Sequence, residues 1–254
     1  MTAPLIDVRD LTMAYGEIVI QQNLRFEVHA GDIFVIMGGS GCGKSTLLRH
    51  LIGLLRPARG SITYGGYDLW RMTRPQRQEC MRRWGVLFQS GALWSSMTLA
   101  ENVAVPLQEY TNLNRKQIAE VVDLKLSLVG LAGFQDYYPA ELSGGMQKRA
   151  GLARAMALDP EILFCDEPSS GLDPLSARRL DELLCELNAS LGTTMVVVSH
   201  DLDSIFAIAS NGIFLDAESR TMLASGPPGE MLQNSDNPRI REFLTRGGER
   251  NLPC

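Results

Sequence analysis

Eight residues near the start of the chain have the makings of a grip for phosphate. Gly38-Gly39-Ser40-Gly41-Cys42-Gly43-Lys44-Ser45, with Thr46 following, fits the spacing G-x-x-x-x-G-K-[ST]. Glycines reach backbone angles that other residues resist, so successive N–H groups can converge on one anion. Lys44 adds a mobile charge long enough to reach the β- and γ-phosphates of a nucleotide, and the Ser45 hydroxyl suits a Mg2+ ion. Much later, "ELSGGMQKR" carries Ser143-Gly144-Gly145, a second set of donors of the same chemical kind. Two phosphate grips in one chain pose the question of whether both serve the same nucleotide.

Two carboxylates add the rest of a phosphoryl-transfer kit. "ILFCDEP" places Asp166 and Glu167 directly after four apolar residues. In that setting Asp166 can hold Mg2+ through water, and Glu167 can polarise an attacking water. His200, after "MVVVS", is placed to hydrogen-bond a γ-phosphate or that water. Each feature alone has a plainer reading: a glycine turn, two acids at an exposed strand end, a surface histidine beside a helix cap. A strand before Gly38 and an amphipathic helix after it argue against the plain reading of the first, and the first argues against that of the second. His29 and His50 have no such context and read as structural.

The elements that must position these groups follow from the apolar pattern. "LIDVRDLTMAY" and "NLRFEVHAGD" alternate and read as strands, whereas "IFVIM" (33–37) is a continuous apolar run of the kind buried on both faces. "KSTLLRHLIGLL" spaces its leucines as a helix. From about Gln89 to Ala157 apolar residues recur at three and four, with Pro106 and Pro139 as punctuation. Buried strands return at "EILFCDEP" and "TTMVVVSHD", joined by a helix over "SARRLDELLCELNASLG" with Gly192 as its cap. The expectation is an α/β core (1–88 and 158–233), a helical insertion (89–157) and a polar tail (234–254) with a weak helix at "NPRIREFLTRGG".

Bulk properties narrow the classes. The chain has 254 residues and a formal net charge of −5, a balance unlike that of a dedicated nucleic-acid binder, so no nucleic-acid partner is expected. The basic stretch Arg71–Arg83 reads as a solvated helix face, with a docking surface as the sharper alternative. Five cysteines without C-x-x-C spacing suggest neither a disulfide framework nor a zinc site and fit a reducing compartment; Cys165 and Cys185 read as core residues. The N-terminus lacks the charged start and apolar run of a signal peptide, and no apolar run spans a bilayer, so the chain is expected to be soluble, with any membrane role arising through a partner.

The ordered set of Gly38–Ser45, "LSGGMQ" (142–147), "ILFCDEPSSGLDP" and "VVVSHD" resembles the ATP-binding cassette (ABC) ATPases over residues 5–226. The resemblance implies a P-loop NTPase fold: a RecA-like core, an antiparallel β subdomain and an inserted helical subdomain. It also answers the question of the two grips. Such ATPases work as head-to-tail dimers, with each ATP between the P-loop of one copy and the signature serine and glycines of the other. By matching position, Tyr15 would stack on adenine, Gln89 in "VLFQSG" would touch Mg2+, Asp173 would cross the dimer interface and His200 would be the switch histidine. ATP and Mg2+ are the implied cofactors.

A single cassette implies a separate membrane permease, whose short cytoplasmic helix would enter a groove beside Gln89. "LFQSGALWSSMTLAENVAVPLQE" (87–109) further resembles the Mla-type ATPases, which energise lipid transporters built on MCE proteins. That implies phospholipid cargo, a periplasmic MCE protein, a small STAS-domain protein as a further partner, and a place on the cytoplasmic face of the bacterial inner membrane. An importer for polar solutes such as amino acids or metals, and a non-transport cassette ATPase such as an iron–sulfur scaffold, are the alternatives.

Overall fold

The structure is a computed structural model and describes residues 3–245. In chain order the elements are β1 (Ile6–Tyr15), β2 (Ile18–Val28), β3 (Ile33–Gly38), α1 (Lys44–Leu51), β4 (Arg59–Tyr64), β5 (Tyr67–Asp68), α2 (Arg74–Arg82), β6 (Trp84–Leu87), α3 (Leu99–Tyr110) and α4 (Arg115–Leu128). A short 3-10 turn at Pro139–Glu141 precedes α5 (Gly144–Ala155), β7 (Ile162–Asp166), α6 (Pro174–Leu191), β8 (Thr194–Val198), α7 (Leu202–Ile208), β9 (Asn211–Asp216), β10 (Thr221–Ser225), α8 (Pro228–Asn234) and α9 (Pro238–Thr245). The chain forms two compact units, one running to Arg77 and resuming at Thr194, the other spanning Gln78–Thr193.

The first unit holds two sheets. One is antiparallel, in the order β2-β1-β4-β5. Its core face comes from alternation in β1, where Ile6, Val8, Leu11 and Met13 are fully buried. The alternation skips a beat between Val8 and Leu11, because a bulge puts Asp10 in the left-handed region at φ +48°. The other sheet runs β10-β9-β3-β8, with β8 and β9 parallel to β3 and β10 antiparallel to β9. All six positions of β3 are buried, as a continuous apolar run in a parallel sheet should be.

In the second unit β6 and β7 pair in parallel, from Trp84 opposite Ile162 to Leu87 opposite Cys165. Helices α3, α4 and α5 pack on one another and α5 also meets α6. Capping boxes fix the first two helices: Thr98 with Glu101 for α3, and Asn114 with Gln117 for α4. Gly192, left-handed at φ +67°, ends α6 as expected.

Some expectations need correction. Pro106 does not punctuate; it lies inside α3. It removes the bond to the Asn102 carbonyl one turn back, and the burial of Val103, Ala104 and Leu107 holds the helix together across the gap. Cys165 is fully buried, but Cys185 is only half-buried on α6. Helix α1 ends at Leu51 rather than continuing through Leu55. Within the basic stretch, α2 buries no residue, and Arg71, Arg82 and Arg83 pair with Asp68, Glu79 and Glu161. Helix α8 ends at Asn234, where the expected tail begins, and α9 lies within the expected weak helix, while 246–254, including Cys254, fall outside the described residues.

Candidate functional site

The P-loop Gly39–Gly43 leaves the carboxyl end of β3 and turns into α1. Gly43 is left-handed at φ +97°, and a Cβ there would lie 2.7 Å from the Ile20 Cγ2 atom of β2. Only glycine meets both conditions. Lys44 is buried, and its Nζ donates to the carbonyls of Gly38 and Gly39 at 2.9 Å each. The ammonium is thereby held over the loop at whose donors it would act. The Cys42 thiol is buried against the loop; burial raises its pKa more than nearby Lys44 lowers it, which favours the protonated thiol.

His200 reaches the same edge of that sheet. β8 runs parallel to β3 from Met195 opposite Ile33 to Val198 opposite Ile36, and the Ser199 N–H donates to the Ile36 carbonyl at 3.3 Å. Parallel strands end together, so His200 emerges beside the start of the P-loop, where ligands of open α/β sheets bind. The Ser199 hydroxyl accepts from the Asp201 N–H at 3.1 Å, and Asp201 caps α7 through Asp203 at 3.0 Å. The histidine thus sits on a fixed turn. Tyr15 closes β1 at the hairpin into β2 and is 45% exposed, an aromatic surface open to stacking.

In the other unit, Asp166 is the last residue of β7 and Glu167 follows it in the left-handed region at φ +47°. Such a backbone costs about 1–3 kcal/mol and persists only where its surroundings enforce it. Here they do. The Gln89 Nε2 donates to Glu167 Oε2 at 3.2 Å and to the Ser170 hydroxyl at 3.3 Å. Lys148 Nζ donates to the Glu167 carbonyl at 3.4 Å and to the Gln89 carbonyl.

Lys148 was not singled out in the sequence. It is buried on α5, and burial lowers its pKa against the raising influence of Glu167 and Asp166. The signal was available: Lys148, Gly151 and Arg154 recur at helical spacing on α5, and all three meet the segment after β6. Arg154 donates to the carbonyls of Gly91 at 3.0 Å and Ala92 at 2.6 Å, and a Cβ on Gly151 would lie 2.9 Å from the Gly91 oxygen.

Ser143 caps α5, its hydroxyl accepting from the Met146 N–H at 3.3 Å, so Gly144 and Gly145 are the first helical residues. A helix N-terminus with free N–H groups is an anion site by its nature. A Cβ on Gly144 or Gly145 would meet neighbours at 3.7 and 3.5 Å, ordinary contact distances, so packing within this chain does not explain two successive glycines. Asp173 caps α6, accepting from Leu175 and Ser176 N–H groups at 3.1 and 3.0 Å. Bonding from Ser176 above all holds its carboxyl below the usual range.

A phosphate loop after a buried parallel strand, an acid pair at the end of another, and a serine–glycine helix start define a nucleoside-triphosphate-hydrolysing cassette. The chain belongs to the ABC transporter family, whose model matches residues 21–170, and it is an ATP-binding cassette ATPase. It is 41% identical to the intermembrane phospholipid transport system ATP-binding protein MlaF of Haemophilus influenzae, over 96% of this chain and 91% of that protein. It is also 43% identical to the probable ribonucleotide transport ATP-binding protein mkl of Mycobacterium leprae, over 94% of this chain and 68% of that one. A solved dimeric post-hydrolysis state of the cassette MJ0796, bound to ADP and Pi, superposes with a TM-score of 0.77 at 27% identity, over 87% of this chain and 98% of that one.

Proposed function

We propose that this chain is the ATPase subunit of a phospholipid transporter of the Mla type, working as a head-to-tail dimer around two ATP·Mg2+ on the cytoplasmic face of a bacterial inner membrane. Gly38–Thr46 holds the phosphates, with Lys44 neutralising the β- and γ-oxygens, and Tyr15 stacks on the adenine. Ser45, Gln89 and Asp166 suit Mg2+: one hydroxyl, one amide and one carboxylate are the hard oxygen donors that this ion takes. The ion, when bound, compensates charge on the phosphates. Glu167 polarises the attacking water, with its carboxylate aimed by Gln89, and His200 bonds the γ-phosphate. Ser143, Gly144 and Gly145 contribute N–H groups and a hydroxyl to the nucleotide of the second copy, and Asp173 lies at that copy's interface. The side-chain-free approach to α5 supports this reading.

Coupling to a permease is supported by a groove of about 750 Å³ in the helical region, lined by Arg82, Trp84, Trp94, Pro106, Tyr110 and Arg154. Trp94 and Tyr110 are 48% and 53% exposed, enough aromatic surface to seat a short amphipathic helix. The observation that carries the proposal is the run of bonds leading inward from this groove. Arg154 grips Gly91 and Ala92, and the same loop carries Gln89, whose amide holds Glu167. A helix pressed into the groove therefore bears on the water-polarising carboxylate.

Phospholipid is favoured over ribonucleotide as cargo by the stretch 87–109 and by the fuller coverage of the Haemophilus relative. A permease, a periplasmic MCE protein and a STAS-domain protein are the proposed partners. Mild-detergent purification of the tagged chain from its native membranes, with mass spectrometry of proteins and lipids, tests this. A permease with an MCE protein and phospholipid is the expected result. A permease with a solute-binding protein would replace the cargo, and soluble partners alone would remove the transport role.

A further inference from the structure

We propose that Gln21 is a positioning residue for nucleotide binding, which fixes one peptide of the P-loop so that its N–H faces the phosphates; this rests on the reading of Gly38–Thr46 as the phosphate cradle. Gln21 lies on β2 and is fully buried. Its Nε2 donates at 2.8 Å to the Cys42 carbonyl in the P-loop and at 2.8 Å to the Asp216 carbonyl at the end of β9. Two carbonyl acceptors decide the orientation of the amide, since a flipped group would set oxygen against oxygen. The remaining atom, Oε1, is buried with no hydrogen-bond partner. A buried orphan acceptor costs stability, so a leucine would suit this core position better if only packing mattered. The polar group is retained for what its N–H groups hold.

The geometry says what that is. In a trans peptide the C=O and the following N–H point in opposite directions. Holding the Cys42 oxygen down onto β2 therefore turns the Gly43 N–H to the face of the loop that β2 leaves open. Gly43 itself rests on this strand, with Ile20 Cγ2 at 2.7 Å and Gln21 Cγ at 3.5 Å from where a Cβ would stand. The far anchor is equally fixed. The Asp216 carboxylate accepts from the Ser219 N–H and hydroxyl at 2.7 Å each, and from Arg239 Nη1 of α9 at 2.7 Å. Neighbouring Gln22 bonds the Arg220 carbonyl through its N–H at 2.8 Å. One peptide of the cradle is thus tied through Gln21 to the β9–β10 turn and the start of α9.

The test measures ATP and ADP dissociation constants, kcat and thermal unfolding for the full chain and for Gln21→Met, which keeps the shape and loses both donors. The expected result is about tenfold weaker binding of both nucleotides, the change that about 1.4 kcal/mol gives, with kcat at saturating ATP within about twofold of the wild type. ATP and ADP suffer alike because the loop donors act on phosphates that the two share. Wild-type affinity for both nucleotides overturns the proposal, as does a kcat that falls in step with affinity. Should Gln21→Met fail to fold, Gln21→Asn keeps the amide but is too short to span both carbonyls; it is expected to weaken both nucleotides by at least about threefold, and unchanged affinity again overturns the proposal. Lys44→Ala separates the premise from the proposal: normal ATP binding in that variant would remove the phosphate-cradle reading itself.

Discussion

Glu167 and Lys148 show how single side chains are made useful by their neighbours. Glu167 is held in a left-handed backbone by a glutamine on its carboxylate and a lysine on its carbonyl. Glu167→Gln keeps the size of the side chain and removes the carboxylate proposed to polarise the water, so it is expected to bind ATP normally and lower kcat by about a hundredfold or more. Single-turnover hydrolysis of labelled ATP checks this; near-normal turnover would assign the water to another group. Lys148 ties the backbone of Gln89 to that of Glu167. Lys148→Met is expected to lower kcat by about tenfold while leaving the ATP dissociation constant nearly unchanged, because it displaces Glu167, the proposed water-polarising residue, rather than the P-loop. Equal losses in both would make Lys148 a general support of the fold.

At the scale of elements, the segment before α3 hangs on one residue. Asn102 is fully buried; its side-chain amide donates to the carbonyls of Trp94, Met97 and Thr98 and its oxygen accepts from the Trp94 N–H. Asn102→Ala leaves the Met97 carbonyl and the Trp94 N–H without this partner, while the Trp94 and Thr98 carbonyls keep backbone N–H donors, and it is expected to cost about 2–3 kcal/mol, read as a lower urea midpoint. Helix α1 carries a different dependence. His50 is buried, and its Nδ1–H donates to the Thr46 carbonyl at 2.8 Å. Burial lowers its pKa, against the raising effect of that bond. The unfolded chain then takes up the proton first, so the His50 contribution is intact above about pH 6.5 and declines as pH falls from there toward the lower folded value. Urea melts across that window should show a slope that flattens in His50→Asn; an identical slope would place the titration elsewhere.

For the whole molecule, the arrangement of grips makes a prediction that no single copy can meet. If each nucleotide lies between the P-loop of one copy and α5 of the other, Lys44→Ala and Ser143→Arg are each inactive alone. A mixed dimer of the two has one site carrying both lesions and one carrying neither. Equimolar mixing is therefore expected to restore ATPase activity to about a quarter of the wild type, from half the dimers with one of two sites intact. No recovery, with mixed dimers demonstrated by differential tags, would count against the head-to-tail reading or require both sites to fire together.

The sequence alone determined the chemistry and most of the elements, because both are written in local patterns. The glycine spacing before Lys44, the apolar run of β3 and the acids at the end of β7 are each contiguous, and contiguity is what periodicity and motif reading detect. Pro106 misled for the same reason: a local rule marks proline as a stop, and only the burial of its neighbours overrides it. What tertiary structure decided lies in contacts between residues far apart in sequence. Gln21, an unremarked polar residue on a strand, meets Cys42 and Asp216. Lys148, one basic residue among several, meets Gln89 and Glu167. A buried polar side chain takes its meaning from the group it satisfies, and that group is fixed only when the chain closes on itself.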